Sequence, residues 1–356
     1  MQTKRNQMVD NQNLQLSIIV PVYGVEKYIR PCIESLFRQG LDENCFEVII
    51  VNDGTKDRSM EMIQDIIEQH KNIIVLNQEN LSLSVARNNG ISMAKGKYIL
   101  MPDSDDLLIE NSLKPLLEKA LEYEVDLVVA DFLKMSNEEI DNLQNIPQKD
   151  FCIQEKTGEQ LFIEDLNPHE CFVWRTLYRR SFLQNEGIKF YPGIRYQDVP
   201  FTHECYLKAK KCFKISWLLN IYRKWPGAST SIFNLKKAKD FSIAIALTWE
   251  LTRYKKENSA ISFKLREDVW ISFLMLILSI CHSLSKKSER IEAIDFLKSR
   301  APDLCFQNGK KQRFYTFMYK NLPHTLIRIR YLYGISFENV FIPFFNHHLR
   351  KQFIGK

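Results

Sequence analysis

The sequence predicts an α/β fold: a central, mostly parallel sheet flanked by helices, followed by a mainly helical C-terminal region. Two observations predict it. Short apolar runs alternate with helical periodicities through the first 131 residues, and strand signals fade from about Phe241 onward. A third points to where the chemistry lies, because acidic residues collect where the apolar runs end. Ligands of such sheets bind beyond the carboxyl ends of the strands.

In chain order, Leu16 to Val22 (LSIIVPV) reads as a buried strand. Ile29, Cys32, Ile33, Leu36 and Phe37 recur at helical spacing, and Gly40 closes that helix. Phe46 to Val51 is the second strand, and Met62, Ile63, Ile66 and Ile67 mark a second amphipathic helix. Ile73 to Leu76, Tyr98 to Met101 and Leu127 to Ala130 follow as strands, with helices over Ser84 to Lys95 and Ser112 to Tyr123 between them. Residues 136–160 are polar and poorly periodic, an excursion or a connection. The expected organisation is an extension over 1–15, a catalytic domain over 16–235 that divides at 131/132, and a helical region over 236–356.

A chain of 356 residues with 45% hydrophobic and 26% charged residues can bury a large core, which excludes a disordered or collagen-like protein. The eight cysteines form no C-x-x-C pair, and no apolar leader opens the chain, so free thiols in a reducing cytoplasm are expected. The most apolar window, Val269 to Cys281, is short of the roughly 18 residues a membrane span needs and reads as a core helix. The charge is uneven. From Phe306 onward nine Lys and Arg face the single Glu338, so the rest of the +6 chain is slightly acidic.

At the strand ends stand Pro21-Val22-Tyr23, Asn52-Asp53-Gly54 and Asp103-Ser104-Asp105-Asp106. Three carboxylates within four residues repel one another unless a cation is present, and Mg²⁺ or Mn²⁺ shared with a diphosphate supplies one. Asp106 could equally cap a following helix, and N-D-G is also a common turn.

Together, V-P-V-Y at 20–23, V-N-D-G-T at 51–55, A-R-N-N-G at 86–90 and D-S-D-D at 103–106 resemble the family 2 glycosyltransferases in content, order and spacing. The resemblance implies a GT-A fold, a nucleotide-sugar donor (a UDP-sugar foremost), Mn²⁺ or Mg²⁺, and inversion at the anomeric carbon. It implies that Pro21, Val22 and Tyr23 line the base pocket, that Asp53 accepts from the uracil ring, and that Arg87 and Ser104 lie at the nucleotide. Asp103 would face ribose and metal, Asp105 would bind the metal, and Asp106 would stand behind them. Two positions depart from the family pattern: Gly24 stands in place of Asn, and Ser82 in place of Gly.

The family's base is the Asp of an E-D pair, which here reads Gln197-Asp198, so the resemblance makes Asp198 the base. Asp198 also fits a helix start. Trp174 and Arg175 match a place where relatives keep an aromatic and a basic residue under the sugar, and core packing fits Trp174 equally well. Tyr222-Arg223 and Ser229-Thr230-Ser231 resemble a Y-R-x-x-x-x-S-x-T stretch, in which Arg223 or Lys224 reaches the diphosphate or forms a solvated face. His203 reads as structural.

The implied activity is transfer of a sugar to a saccharide or lipid-linked saccharide in surface polysaccharide synthesis. A non-catalytic nucleotide-sugar binder and a nucleotidyltransferase are the alternatives. G-x-G-x-x-G is absent after the first strand, which excludes a dinucleotide enzyme, and a nucleic-acid partner would leave the acidic cluster unexplained. The basic, aromatic tail over 306–356 reads either as a segment lying on the anionic inner face of the cytoplasmic membrane or as a helical subdomain.

Overall fold

A computed structural model describes residues 3–4, 14–143, 146–168, 170–225, 233–254 and 259–331. The chain divides into two compact units, Met1–Ser231 and Ile232–Lys356.

The first unit is built on one sheet. Its strands are β1 (Thr3–Lys4), β2 (Leu16–Val22), β3 (Phe46–Asn52), β4 (Ile73–Asn77), β5 (Tyr98–Leu100), β6 (Leu107–Leu108), β7 (Leu127–Ser136), β8 (Cys152–Lys156), β9 (Thr176–Arg179) and β10 (Cys212–Lys224). They lie in the order β1-β4-β3-β2-β5-β9-β7-β10-β6, and β8 also pairs with β10. The block β4-β3-β2-β5 is parallel, with Leu16 opposite Phe46 and Val48 opposite Ile73. All seven residues of β2 are buried, as expected of a central parallel strand covered on both faces.

The helices explain both coverings. Leu16, Ile18, Val20 and Val22 share a core with Val48 and Ile50. On that face lie α1 (Ile29–Leu36), through Ile29, Ile33 and Leu36, and α4 (Leu113–Tyr123), through Leu113, Leu116 and Leu117. Between these two helices in the chain come the short α2 (Gln64–Gln69) and α3 (Leu83–Met93). Helix α3 packs against Ile19 so closely that a Cβ on Gly90 would meet the Ile19 Cγ2 at 2.3 Å.

All five expected strands are present, and the sheet is nevertheless not purely parallel. Strand β9 enters between β5 and β7 and runs antiparallel to both. The excursion over 136–160 returns to the sheet, with a short helix α5 (Asn137–Asp141) and then β8, antiparallel to the first half of β10. Strand β10 runs parallel to β7 over 13 residues, with register shifts near Leu218. The remaining helices of this unit are α6 (Gly158–Gln160), α7 (Arg180–Asn185) and α8 (Asp198–Lys208).

The second unit is helical: α9 (Leu235–Glu250), α10 (Ala260–Ser283), α11 (Lys287–Arg300), α12 (Gly309–Asn321), and a helix over 323–331. Asn234 and Ser259 cap α9 and α10. Its core includes Trp249, Trp270, Phe273, Phe306, Tyr315 and Tyr319. The apolar window expected to be a core helix lies in α10, and no helix among the described residues is long and apolar enough to cross a membrane. Tyr333, Phe341, Phe344, Phe345, Arg350, Lys351 and Lys356 of the basic tail lie outside the described residues, as do Ser229, Thr230 and Ser231.

Helix α3 starts under strain. Ser82, where the family pattern has Gly, adopts φ 100° and ψ 156°, a region that only Gly enters without cost. Its backbone N–H donates to Asp53 and its hydroxyl accepts from the Gly193 N–H at 3.2 Å. Relief of strain is worth about 1–3 kcal/mol, against about 1 kcal/mol for the exposed hydrogen bond. Ser82→Gly is therefore expected to be at least as stable as the parent, and Ser82→Ala, which keeps the strain and loses the hydroxyl, less stable than both. Urea denaturation midpoints check this order, and a Gly variant weaker than the Ala variant contradicts it.

Candidate active site

The loops after β2 and β3 are fastened to each other. Thr55 Oγ1 accepts from the Gly24 N–H at 2.9 Å, Ser59 Oγ from the Val25 N–H at 3.0 Å, and Asp57 Oδ2 from the Glu26 N–H at 3.0 Å. Burial works against the Asp57 charge, but the Ser59 and Thr55 hydroxyls and the Glu26 N–H outweigh it and hold the carboxyl below its usual range. On this platform the Tyr23 ring is 49% exposed, whereas Pro21 is buried and the Val22 side chain belongs to the core. Of the three residues expected at a base pocket, Tyr23 alone offers an open face.

Asp53 is buried. Its Oδ1 accepts from Gln78 Nε2 at 2.7 Å and the Leu81 N–H at 2.8 Å, and its Oδ2 from the Ser82 N–H at 3.1 Å. Gly54 follows with φ +67°, so the N-D-G turn forms and its carboxylate anchors the segment leading into α3.

That helix delivers Arg87, which is 2% exposed, to Asp103 at the start of the acidic turn. The Arg87 guanidinium also lies over the Phe190 ring, 5.4 Å from its centre. The turn closes through the Asp106 N–H and the Asp103 carbonyl at 3.1 Å. The helix-cap reading of Asp106 does not hold: Leu107–Leu108 continue as β6, and α4 begins behind Ser112. Instead the turn is gripped from β10. The Arg223 N–H donates to Asp106 Oδ1 at 2.8 Å, and Arg223 Nε to the Asp105 carbonyl at 2.8 Å. The Trp225 indole donates to Asp105 Oδ2 at 2.9 Å. Asp106 Oδ2 is buried and has no hydrogen-bond partner in the structure. Ser104, between the acids, is buried too.

Asp198 opens α8 and completes the group. Burial pushes Asp103 up to about 6; Arg87 pulls it down, and Asp105 and Asp198 push it further up. Burial also raises Asp106, reinforced by Asp103 and Asp105, and raises Asp198 against the pull of Arg87. The Tyr222 hydroxyl, pushed up to about 12 by burial first, feels Asp106, Asp103, Asp105 and Asp198 at once. Four carboxylates and two buried guanidinium groups, Arg87 and Arg223, thus share one electrostatic neighbourhood.

Three of the candidate residues have structural partners. Trp174 is core, 2% exposed, stacked on Phe172 at 4.8 Å and on Tyr222 at 5.7 Å, with Phe132 edge-on at 4.9 Å. Arg175 donates to the Ala130 carbonyl at 2.9 Å and lies over Phe132, so it fastens β7. Arg223 is neither a solvated face nor open to a diphosphate, because it is buried against Asp105, Asp106, Asn137 and the Tyr28 ring. Gln197, before Asp198, is buried with its Oε1 unpartnered, and His203 places Nδ1 2.7 Å from the Val199 carbonyl within α8, the structural role expected.

Comparison with known proteins shows the family and the fold. The model of glycosyl transferase family 2 matches residues 17–186. The uncharacterized glycosyltransferase EpsJ of Bacillus subtilis is 32% identical over 84% of this chain and 89% of its own. The chain belongs to glycosyl transferase family 2. The poly(ribitol-phosphate) beta-glucosyltransferase of Bacillus spizizenii is 28% identical over 56% of this chain and 30% of its own. The crystal structure of S. aureus TarS 1-349 in complex with UDP superposes with a TM-score of 0.69 at 21% identity, covering 91% of this chain and 92% of that one. The fold is therefore GT-A, in an enzyme of the glycosyltransferase class.

Residue types alone did not reveal how this glycosyltransferase holds its acidic turn. Tyr28, just ahead of α1, and Trp225, just after β10, pack their rings at 4.9 Å beside Asp105. A lone Trp after Y-R-K was the available signal. Arg223→Ala is expected to destabilise the first unit by about 2–4 kcal/mol, since it strips charged hydrogen bonds from a buried turn. Arg223→Lys should recover less than half, because one ammonium cannot span both Asp105 and Asn137. Chemical denaturation measures both, and an Ala variant within about 0.5 kcal/mol of the parent contradicts the clamp.

Proposed function

We propose that the chain is an inverting transferase that moves a sugar from a UDP-sugar to a saccharide or lipid-linked saccharide acceptor in surface polymer synthesis, with Asp198 as general base. The observation that carries this reading is the gathering of Asp198 with Asp103, Asp105 and Asp106 around Arg87. The complexes of TarS with UDP and with UDP-GlcNAc support a UDP-sugar donor, and the name of the poly(ribitol-phosphate) relative supports a polymer acceptor.

The residues present fit a divalent cation. Among the described residues no cluster of three or more His, Cys, Asp or Glu could hold a metal alone. Mg²⁺ and Mn²⁺ at nucleotide sites need only one or two carboxylates, with phosphate and water supplying the rest. Asp103 spends Oδ1 on Arg87 and Asp105 spends Oδ2 on Trp225, which leaves each an oxygen to offer. The buried, unpartnered Asp106 Oδ2 stands behind them. Asp105 and Asp103 would hold the ion, which when bound offsets the charge left on the diphosphate.

The protein's own part is positioning and proton transfer. Arg87 holds Asp103, and Arg223 and Trp225 hold Asp105. Asp198 takes the proton of the acceptor hydroxyl as its oxygen bonds the anomeric carbon, and the bond to the UDP oxygen breaks with its electron pair. Burial raises the Asp198 pKa, so kcat/KM falls as pH drops through that raised value and the base is neutralised.

Nucleotide release from a panel of UDP-sugars with Mn²⁺ identifies the donor. Asp198→Asn is expected to lower turnover about 10²- to 10⁴-fold with UDP affinity unchanged, and to remove the acid limb of the pH profile. Near-normal turnover in that variant contradicts Asp198 as base.

A further inference from the structure

We infer that the outward face of α12 docks on an anionic lipid surface. The helix is two-sided. Gln312, Tyr315, Met318 and Tyr319 are buried, while Lys310, Arg313, Phe314, Phe317 and Lys320 are exposed. Their spacing of three, four, seven and ten residues from Lys310 puts all five on one stripe. The two rings are 52% and 56% exposed, two large apolar side chains set one turn apart among cations.

Charge identifies the partner. Several surface cations elsewhere in this unit are paired: Lys239 with Glu292, Arg253 with Asp303, and Lys264 with Asp268. Lys310, Arg313 and Lys320 pair with no acid among the described residues, and the sequence contains none from Leu304 to Phe337. Lys298 adds a further cation at the same end, its Nζ donating to the Lys320 carbonyl at 2.8 Å. Unpaired cations alone would suit any polyanion. Phenylalanines between them suit the lipid interface, where rings enter the acyl boundary while the cations meet anionic headgroups. The sequence left the basic tail as either an interfacial segment or a helical subdomain; α12 packs as part of a helical unit, and the lipid contact is assigned to its outward face alone. This inference does not depend on the donor or on the base.

Sedimentation of the full chain with vesicles tests it, comparing phosphatidylcholine alone with a mixture containing one-third phosphatidylglycerol, at low and high salt. Binding is expected to the anionic vesicles only, and to weaken as salt screens the cations. Replacing Lys310, Arg313 and Lys320 together by Gln should weaken it about a hundredfold. Phe314→Ala with Phe317→Ala should weaken it at least about tenfold. All five side chains are exposed, so UDP binding and thermal stability should match the parent and show that these variants fold. Two results overturn the inference: no sedimentation with anionic vesicles at low salt, or a Phe double variant that binds as well as the parent. The second would make the face a general polyanion patch, which an oligonucleotide competing at equal charge would reveal.

Discussion

Like charges brought together must be held together, and the first unit is organised around that constraint. Burial raises the proton affinity of Asp103, Asp106 and Asp198; the charges of Asp105 and Asp198 raise that of Asp103 further, and those of Asp103 and Asp105 that of Asp106. Two buried cations oppose this: Arg87, paired to Asp103, and Arg223, beside Asp105 and Asp106. Hydrogen bonds add to the restraint: Arg223 on β10 and Trp225 just after it fix the turn by its backbone and by single carboxylate oxygens. What is left over, an unpartnered Asp106 oxygen and one open oxygen on each of Asp103 and Asp105, is a stored demand for positive charge.

The sheet topology makes this grouping possible. The parallel block ends its strands on one edge, so the turn after β5 falls beside the loops after β2 and β3. The insertion of β9 beside β5, and of β7 and β10 beyond it, brings the end of the 13-residue β10 to that same turn. The loops are tied within the protein itself, one by Thr55, Asp57 and Ser59 and another by Asp53. A site built from polar loops is thus preorganised by short hydrogen bonds rather than by apolar packing.

Much of this was legible in the sequence, for a physical reason. Central parallel strands are buried on both faces and appear as continuous apolar runs, so β2, β3, β4, β5 and β7 stood out, as did the acids beyond them. Strand β9 is four residues long and mixed, T-L-Y-R, and carries no periodic signal. Its insertion depends on tertiary pairing that no local pattern encodes. Side-chain fates were the least legible. Trp174 and Arg223 have residue types suited equally to a site and to a scaffold, and only the stack on Phe172 and Tyr222 and the grip on Asp105 decide between them. Asp198 could be a helix start and a reactive group together, since α8 begins at it and Asp103 feels its charge.

The central claim is that the carboxylate cluster accepts a diphosphate only when a cation is shared between them. Titration calorimetry of UDP into the full chain, once with Mn²⁺ and once with EDTA, tests it most directly. Removal of the cation is predicted to weaken UDP binding by about a hundredfold or more, since two anionic partners are then left facing each other at close range. Equal affinity in the two titrations would contradict the account.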